Sequence, residues 1–291
     1  MKRVSVIIVS YNNIQLLRNC LDSLERHNDI GDGLETIVSD NSPDRTLYDT
    51  IKSEYPDIKI IKNENKGFGY GNNRGYEISE GEYLLFLNPD TVLVEPIFSF
   101  MTERFEKDRN LALFGIKLVK PDMRKNESFF MMDRYGISAS IAHKFHRLFG
   151  YYRDNKMFIA GADLFVRRKS FEEAGRFDEN IFMYKEEPDL IKRIKLYSEA
   201  KKTAYFKEKK LIHLEGGTED LGSEKAIVMA ERLMDADRYY CEKWHCDLNK
   251  ILKARIRLAG LKKFVYSVLR KKIKAETADK LIRLYESNME K

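Results

Sequence analysis

Short apolar segments alternate with segments of helical periodicity over the first part of the chain. Val4–Ser10 (VSVIIVS) is rich in β-branched residues and is typical of a buried strand, and Ile14–His27 follows with a helical pattern. The same order recurs with a strand at Glu35–Asp40, a helix near Leu47–Glu54 and a strand at Ile58–Lys62. Because strands joined by crossing helices normally run parallel, this order predicts an α/β fold with a doubly wound, mostly parallel sheet flanked by helices.

The segment Tyr83–Leu87 (YLLFL) predicts a further strand, buried on both faces, because all five residues are apolar or aromatic. Pro89 cannot donate a hydrogen bond to a neighbouring strand, so the chain leaves the sheet there and presents Asn88 and Asp90 at the strand's carboxyl end. Ligands bind at this end in open α/β sheets, and a carboxylate there suits Mg²⁺ or Mn²⁺. For NPD taken alone, a solvated turn is the other interpretation.

The three preceding strands also end in small polar residues. These are Ser10-Tyr11-Asn12, Asp40-Asn41-Ser42 and the glycine- and asparagine-rich loop 65–73. Strand ends that meet along one edge form a pocket able to hydrogen-bond a nucleobase and ribose, with Asp40 as an acceptor. Each motif singly also fits an ordinary turn or helix cap. Gly67, Gly69 and Gly71 lack the GxGxxG spacing, which argues against a dinucleotide-binding oxidoreductase.

Four motifs of the first half, VSVIIVSYNN, IVSDNSPD, NKGFGYGNNRG and LFLNPD, in this order and spacing, resemble the nucleotide-binding half of family 2 glycosyltransferases of the GT-A fold. The segment from Phe158 to Ile194 resembles the acceptor half of that family, and KKLIHLEGG resembles its closing metal-binding histidine motif. The resemblance covers about residues 3–220. NPD stands where many members carry DxD, and this variety is similar to rhamnosyltransferase-like members.

This resemblance implies a role for each motif residue. Asp90 would bind Mg²⁺ or Mn²⁺ with His213 as the second protein ligand, and Glu187 of the catalytic pair Glu186-Glu187 would be the general base. A glutamate at 187 is one methylene longer than the aspartate of the family. The nucleotide-sugar site would comprise Ser10, Tyr11, Asn12, Asp40, Ser42, Gly67, Asn72, Asn73, Asn88, Asp90, Gly161, Ala162 and Asp163.

Residue chemistry alone leaves alternatives open for the later motifs. Glu186, Glu187 and Asp189 precede Leu190–Leu196, a predicted helix whose first turn favours acidic residues. They are therefore either catalytic carboxylates or an acidic helix start. His213 follows two apolar residues and equally fits a core histidine.

The C-terminal part has a helical pattern and a strongly basic charge. Its clearest helix is Ile227–Tyr240, and ten basic and no acidic residues lie in 250–274. This run also carries apolar residues at three- and four-residue spacing, namely Leu258, Leu261, Val265 and Val268. A basic amphipathic helix suits an anionic membrane surface. Packing on the catalytic domain or on a partner is the alternative.

Length and composition set the expected domains. With 291 residues, 43% hydrophobic and 34% charged, the chain predicts a globular catalytic domain at 1–222 and a basic helical extension at 223–291. The catalytic domain would divide into a nucleotide-sugar-binding half, 1–95, and an acceptor half, 96–222. Within the acceptor half, 122–155 has no clean period and predicts either an acceptor-binding insertion or a packed helix and loop.

The cysteines and apolar runs indicate a compartment. Cys20, Cys241 and Cys246 have neither metal-ligand nor disulfide spacing, and an odd number fits a reducing cytoplasm. The N-terminal apolar run is too short for a signal-peptide core, and no window has the length of a membrane span. A cytoplasmic protein is expected, peripheral on the inner face of the cell membrane if 250–274 binds lipid.

The resemblance implies a metal-dependent, inverting glycosyltransferase that acts in cell-surface polysaccharide assembly. The sugar, rhamnose by the same resemblance, would move from a dTDP- or UDP-linked donor to a glycan or lipid-linked acceptor. A nucleotidyltransferase that makes a sugar nucleotide stays an alternative, although it would carry a basic, glycine-rich loop in place of SYNN. A non-catalytic nucleotide-sugar-binding module also stays open. The net charge of the chain is +6, and that of residues 247–291 is +8, which leaves 6 − 8 = −2 on residues 1–246. Nucleic acid is therefore not an expected partner, because residues 1–246 offer no excess positive charge to bind it.

Overall fold

The computed structural model describes residues 2–214 and 223–289. They divide into two compact units. The first, which we call the sheet unit, comprises 2–130, 152–182 and 186–214, and the second, the helical unit, comprises 131–151, 183–185 and 223–289. The predicted domain boundary after Gly222 lies outside the described residues. The helical unit takes in two segments, 131–151 and 183–185, from the part of the chain predicted as the acceptor half.

An eight-stranded, mostly parallel sheet lies at the centre of the sheet unit. The described residues form ten strands, of which eight belong to this sheet. They are β1 (Val4–Ser10), β2 (Leu34–Asp40), β3 (Lys59–Lys62), β4 (Tyr83–Leu87), β5 (Thr91–Leu93), β6 (Leu111–Val119), β7 (Phe129–Met131), β8 (Met157–Ile159), β9 (Asp163–Arg167) and β10 (Lys202–His213). Their order in the sheet is β3-β2-β1-β4-β9-β6-β10-β5, with β7 and β8 in a separate pair. The strands β1 to β4 run parallel, whereas β9 is antiparallel to β4 and β6. The predicted α/β fold with a mostly parallel sheet is therefore confirmed.

Ten helices occur in the described residues. They are α1 (Ile14–Arg26), α2 (Thr46–Glu54), α3 (Phe68–Glu77), α4 (Phe98–Lys107), α5 (Ile137–Phe149), α6 (Arg168–Glu173), α7 (Glu186–Tyr197), α8 (Ser223–Trp244), α9 (Leu248–Val268) and α10 (Lys272–Ser287). The helical unit contains α5, α8, α9 and α10, and the other six belong to the sheet unit.

Aromatic rings fill much of the core of the sheet unit. All five residues of β4 are buried, as their apolar sequence predicts. The rings of Tyr83 and Phe105 stack with centroids 4.9 Å apart, and those of Phe114 and Phe165 stack at 4.6 Å. Because these rings belong to β4, α4, β6 and β9, their packing joins the parallel strands to the antiparallel part of the sheet.

The glycine-rich segment predicted as a loop at 65–73 is largely helical, since α3 begins at Phe68. Two glycines of α3 face β1 at close range. A Cβ on Gly71 would lie 2.9 Å from the Val9 side chain, and one on Gly75 would lie 2.5 Å from that of Ile7. The glycines therefore let the helix pack directly on the strand, and this tertiary packing overrides their poor intrinsic helix propensity.

The basic helix predicted over 250–274 is two helices, because α9 ends at Val268 and α10 begins at Lys272. In the first half of α9, Ile251, Leu252 and Ala259 are buried, and Leu252 packs in a cluster with Tyr285 of α10. From Leu261 onwards the apolar side chains of α9 are exposed. The first half of this run thus packs within the helical unit, and packing on the catalytic domain or on a partner stays a prediction.

A buried ionic cluster holds the helical unit together. Asp237 of α8 is fully buried, lies 3.0 Å from Lys185 Nζ and is also paired with Arg255 of α9. Lys185 Nζ donates a second bond, of 3.1 Å, to the hydroxyl of Tyr135. Lys185 and Tyr184 have φ values of +75° and +68°, a conformation that costs about 1–3 kcal/mol per residue. The contacts of Lys185 offset this strain.

Candidate active site

The carboxyl ends of β1, β2 and β4 lie side by side at one edge of the sheet. Ser10 is opposite Asp40, and β1 pairs with β4 as far as Leu87. Asp40 Oδ1 accepts a 2.8 Å hydrogen bond from the Ser42 amide, and Ser42 Oγ accepts one of 3.0 Å from the Asn12 amide. The polar strand ends singled out from the sequence are thus neighbours, tied together by their own hydrogen bonds.

Several buried polar atoms at this edge have no hydrogen-bond partner among the described residues. They are Ser10 Oγ, Asp40 Oδ2 and, on α3, Asn72 Oδ1. An unsatisfied buried polar group costs about 1–3 kcal/mol, so such groups are typical of a site that a polar ligand completes. The ring of Tyr11, which follows Ser10, is 48% exposed and offers a surface for a base or sugar to pack on.

Asn73 and Gly67 have framework roles that differ from the predicted ligand contacts. The Asn73 amide nitrogen donates to the Phe177 carbonyl and to Glu179 Oε1, both at 2.9 Å, and its oxygen accepts from the Phe177 amide at 3.1 Å. Both amide hydrogens are therefore used within the protein, whereas the contact of Asn73 with the donor stays a prediction. Gly67 has a φ of +108°, and a Cβ there would lie 2.2 Å from the Phe182 carbonyl oxygen. It allows a close backbone approach.

Asp90 and His213 are brought together from distant parts of the chain. His213 ends β10, which pairs antiparallel with β5 so that His213 is opposite Thr91. The Leu214 amide donates to the Asp90 carbonyl at 2.8 Å, and His213 Nε2 lies 3.4 Å from Asp90 Oδ1. The two side chains are 17% and 19% exposed, so a ligand can reach both. A carboxylate oxygen and an imidazole nitrogen this close fit two positions around one divalent cation.

The described residues contain no group of three or more His, Cys, Asp or Glu side chains able to hold a metal by themselves. The pair formed by Asp90 and His213 would leave coordination positions for oxygens that do not belong to these two residues. This is the arrangement expected where the ligand shell is shared with a phosphate-bearing substrate, since Mg²⁺ sites commonly combine one or two carboxylates with substrate phosphates.

The segment 161–163 lies beside the NPD turn. The Asn88 amide donates to the Ala162 carbonyl at 3.1 Å, and Asp163 is opposite Leu87 across the β4–β9 pair. Asp163 itself is fully buried, and its Oδ2 accepts a 2.7 Å bond from the Ile116 amide. Burial raises the pKa of the Asp163 carboxyl well above its usual range. Its Oδ1 has no hydrogen-bond partner among the described residues, and the donor contact predicted for Asp163 stays a prediction.

Glu187 lies directly against Gly161. A Cβ at position 161 would lie 2.2 Å from Glu187 Oε1, so a larger residue there would displace this carboxylate. The helix α7 begins at Glu186, and the carboxylates of Glu186, Glu187 and Asp189 all lie in its first turn, where the helix dipole favours negative charge. The predicted base and the segment beside the NPD turn are thus in contact.

The three carboxyl groups at the start of α7 have different environments. Glu186 is 3% exposed, and burial together with the charge of Glu187 raises the pKa of its carboxyl well above the usual range. Asp189 is fully buried, with its Oδ2 2.8 Å from Arg193 Nε and 2.7 Å from Nη2 of the same side chain. Only Glu187 of the three is partly exposed. It is the carboxylate that an acceptor can reach.

Glu186→Gln should raise the thermal stability of the protein at neutral pH. The unfolded chain loses the Glu186 proton near pH 4.3, whereas the folded protein retains it to higher pH, so this group makes stability fall as pH rises between the two pKa values. Glutamine is neutral at every pH and therefore removes this loss of folding stability. We expect calorimetry to show a higher Tm for the variant at pH 7, by about 2–4 °C for each kcal/mol gained, and a smaller difference near pH 4. A lower Tm at pH 7 would show that Glu186 is ionised and stabilised by a partner.

Lys62 is a residue of this edge that the sequence did not single out. It ends β3, its Nζ lies 3.7 Å from Asp40 Oδ2, and it also donates to the Ser42 carbonyl. The signal was present, because Lys62 is the last residue of the predicted strand Ile58–Lys62. The side chain places a positive charge beside the strand ends, where it balances Asp40.

The comparisons with known proteins agree with this geometry. The model of glycosyl transferase family 2 matches residues 5–175. The uncharacterized glycosyltransferase YfnE of Bacillus subtilis (strain 168) is 27% identical in an alignment of length 235, and the match covers 62% of this chain and 57% of YfnE. The rhamnosyltransferase WbbL of Escherichia coli (strain K12) is 26% identical in an alignment of length 207, and the match covers 66% of this chain and 77% of WbbL. The match with YfnE therefore spans little more than half of that protein.

Solved structures show the same fold. The mannosyltransferase PcManGT from Pyrobaculum calidifontis, solved in complex with GDP-Man and Mn²⁺, superposes with a TM-score of 0.60 at 14% identity and covers 99% of this chain and 76% of its own. This likeness confirms the predicted GT-A fold. Since the family model matches more than half of the chain, the protein belongs to glycosyl transferase family 2.

Proposed function

We propose that this glycosyltransferase is metal-dependent and inverts the configuration of the transferred sugar. The observation that carries the proposal is the meeting of Asp90 and His213, with 3.4 Å between Oδ1 and Nε2, at the sheet edge where β1 and β2 end in unsatisfied polar atoms. That edge would hold the nucleotide through Ser10, Asp40 and, from α3, Asn72. The backbone of Gly161 and Ala162 would flank the sugar.

A divalent cation, Mg²⁺ or Mn²⁺, would be held by Asp90 and His213 and would offset the negative charge of the leaving diphosphate. The donor set fits this role, because one carboxylate and one imidazole leave room for phosphate oxygens. The Mn²⁺ found with GDP-Man in PcManGT supports the same role in this chain.

Glu187 would act as the general base. Its carboxylate would accept the proton of the acceptor hydroxyl as that oxygen forms a bond to the anomeric carbon, while the bond from that carbon to the diphosphate breaks on the opposite face. The burial of Glu186, which raises the pKa of its carboxyl, supports this assignment, because Glu187 is the partly exposed member of the pair. Its contact with Gly161 supports this role as well, because Gly161 and Ala162 are the residues proposed to flank the sugar.

The proposed donor is a dTDP- or UDP-linked sugar, with rhamnose as the sugar, and the acceptor is a glycan or lipid-linked oligosaccharide of cell-surface polysaccharide assembly. Rhamnose is supported by the similarity to WbbL and by NPD in place of DxD. A lipid-linked acceptor fits a cytoplasmic protein that lies on the inner face of the membrane and contacts anionic lipid through the basic run 250–274. No helix of the described residues combines the length and the apolar character needed to cross a bilayer.

A panel of sugar nucleotides tests the proposal. We expect dTDP-rhamnose or a UDP-sugar to be hydrolysed slowly in the presence of Mn²⁺ or Mg²⁺, faster with an acceptor glycan, and not at all after chelation with EDTA. GDP-mannose is the comparison donor. Release of pyrophosphate from a nucleoside triphosphate and a sugar phosphate would indicate a nucleotidyltransferase instead. Tight nucleotide-sugar binding without turnover would indicate a binding module.

A further inference from the structure

The helix α5 exposes most of its apolar side chains, and none of its residues is buried. Ile141, Phe145, Leu148 and Phe149 are 64%, 55%, 62% and 53% exposed. Their spacing of four, three and one residues places them along one side of the helix. The rings of Phe145 and Phe149 lie 4.8 Å apart and form one continuous apolar surface. The side of α5 that carries these four residues is therefore exposed among the described residues.

A second exposed apolar surface follows in the same unit. It begins in the second half of α9 and reaches the start of α10, and its side chains are between 41% and 70% exposed. They are Leu261, Phe264, Val265, Val268, Leu269 and Ile273. The N-terminal end of α5 packs on the first half of α9, where a Cβ on Gly136 would lie 3.3 Å from the Ala254 Cβ. The two surfaces thus belong to helices that are in contact.

Charge around both surfaces is mostly positive, although Asp279 of α10 pairs with Lys263. Residues 134–153 contain Arg134, Lys144, Arg147 and Arg153 and no acidic residue, and 250–274 contain ten basic residues and no acidic one. A second copy of the chain would bring a surface of equal charge against this one and would be repelled. An anionic lipid headgroup layer over an acyl core has the complementary chemistry for both the charges and the apolar side chains.

We propose that α5 is an interfacial membrane anchor whose apolar side enters an anionic bilayer, while Lys and Arg of α5 and of 261–274 bind the headgroups. The proposal rests on the membrane association proposed above for 250–274 and adds a separate insertion element to it. Phenylalanine and leucine side chains of a helix that lies in the interface plane reach the boundary of the acyl region, whereas long basic side chains extend to the headgroups.

Vesicle co-sedimentation of the full chain tests α5. Phosphatidylcholine vesicles with 30% phosphatidylglycerol are compared with pure phosphatidylcholine. The double variant Phe145→Ser/Phe149→Ser should lower the partition coefficient by about tenfold per ring, about 10²-fold in all. The matched control Ile78→Ser/Val228→Ser, at exposed apolar positions away from α5, should change it less than about twofold. Donor hydrolysis in solution is measured on every variant and should not change.

A charge variant separates the two elements. Lys262→Gln/Lys271→Gln/Lys272→Gln should weaken binding to anionic vesicles only, and salt should have the same effect on the unmodified protein. If the α5 variant sediments like the unmodified protein while the charge variant does not, α5 is not an anchor and the association through 250–274 stands. If the unmodified protein does not sediment with either vesicle, both membrane proposals fall, whereas donor hydrolysis judges the enzymatic proposal independently.

A second measurement does not depend on the double variant. Phe145→Trp adds a tryptophan to a chain that has one, and its fluorescence should shift to the blue and be quenched by brominated lipid in anionic vesicles. The unmodified protein gives the baseline from Trp244. No added quenching in vesicle-bound protein would place residue 145 outside the bilayer and overturn the proposal. Sedimentation velocity without lipid gives one further outcome that would overturn the proposal. It is a dimer that Phe145→Ser/Phe149→Ser dissociates, while the same variant still binds vesicles like the unmodified protein.

Discussion

Glu187→Gln should reduce sugar transfer by about 10²–10⁴-fold, the usual contribution of a general base. Glutamine keeps the size of the side chain and its place against Gly161, but it cannot take the acceptor proton. Donor binding should stay near that of the unmodified protein, because the polar atoms assigned to the nucleotide lie at the ends of β1 and β2 and on α3. Turnover with saturating donor and acceptor, together with donor affinity by calorimetry, measures the two effects separately.

The neighbouring carboxyl groups are the matched controls for this experiment. Glu186→Gln replaces a buried carboxyl whose pKa is raised by burial, and it should cost less turnover than Glu187→Gln. Asp189→Asn should cost less turnover as well, but it weakens the buried pair with Arg193 and should lower the Tm. A larger loss of turnover in Glu186→Gln, or transfer at the normal rate in Glu187→Gln, would move the base to another residue.

Asp90→Ala should remove the metal dependence of nucleotide-sugar binding. The carboxylate and His213 Nε2 are the two protein groups that meet at the proposed metal position, and alanine leaves the imidazole alone there. Even partners one shell further from a metal change its affinity by about 10–100-fold, so we expect at least that loss of Mn²⁺-stimulated donor affinity. Titration calorimetry with the donor nucleotide, with and without Mn²⁺, measures it without any turnover.

His213→Ala should give the same loss as Asp90→Ala, since either change leaves one ligand. The control is Asp57→Ala, which removes an exposed carboxylate from the same half of the sheet unit and should leave the Mn²⁺ effect unchanged. The metal assignment is wrong if the folded Asp90→Ala protein binds donor with the normal Mn²⁺-dependent affinity.

The parallel part of the fold was readable because its signals are local. The residues of β4 are all apolar or aromatic, and the polar residues at the ends of β1 and β2 indicate where those strands end. The meeting of Asp90 with His213 has no local signal, because it depends on the antiparallel pairing of β10 with β5, far apart in the sequence. Only the family resemblance indicated this pair.

Where prediction differed from structure, packing had overridden composition. The asparagine- and glycine-rich segment around Asn73 resembles a loop, yet contact with β1 and bonds to residues 177–179 make it a buried helix. The run 250–274 has one continuous amphipathic pattern, and nothing in that pattern shows that its first half packs against α10. The different environments of Glu186 and Glu187 likewise arise from burial, which adjacent identical residues do not reveal.

The proposed nucleotide residues are separable from the rest of the sheet unit by a single crossover in a chimera. Those residues up to Asp90 come from one continuous stretch, whereas Gly161, Ala162, Glu187 and His213 come later in the chain. The stacking of Tyr83 on Phe105 of α4 places the junction after α4 rather than at the NPD turn. Exchange of residues 1–107 with a relative would thus transfer the proposed nucleotide contacts as a block and leave the residues proposed to flank the sugar with the recipient, provided that the incoming helix α3 keeps an asparagine at the position of Asn73 to bond to 177–179.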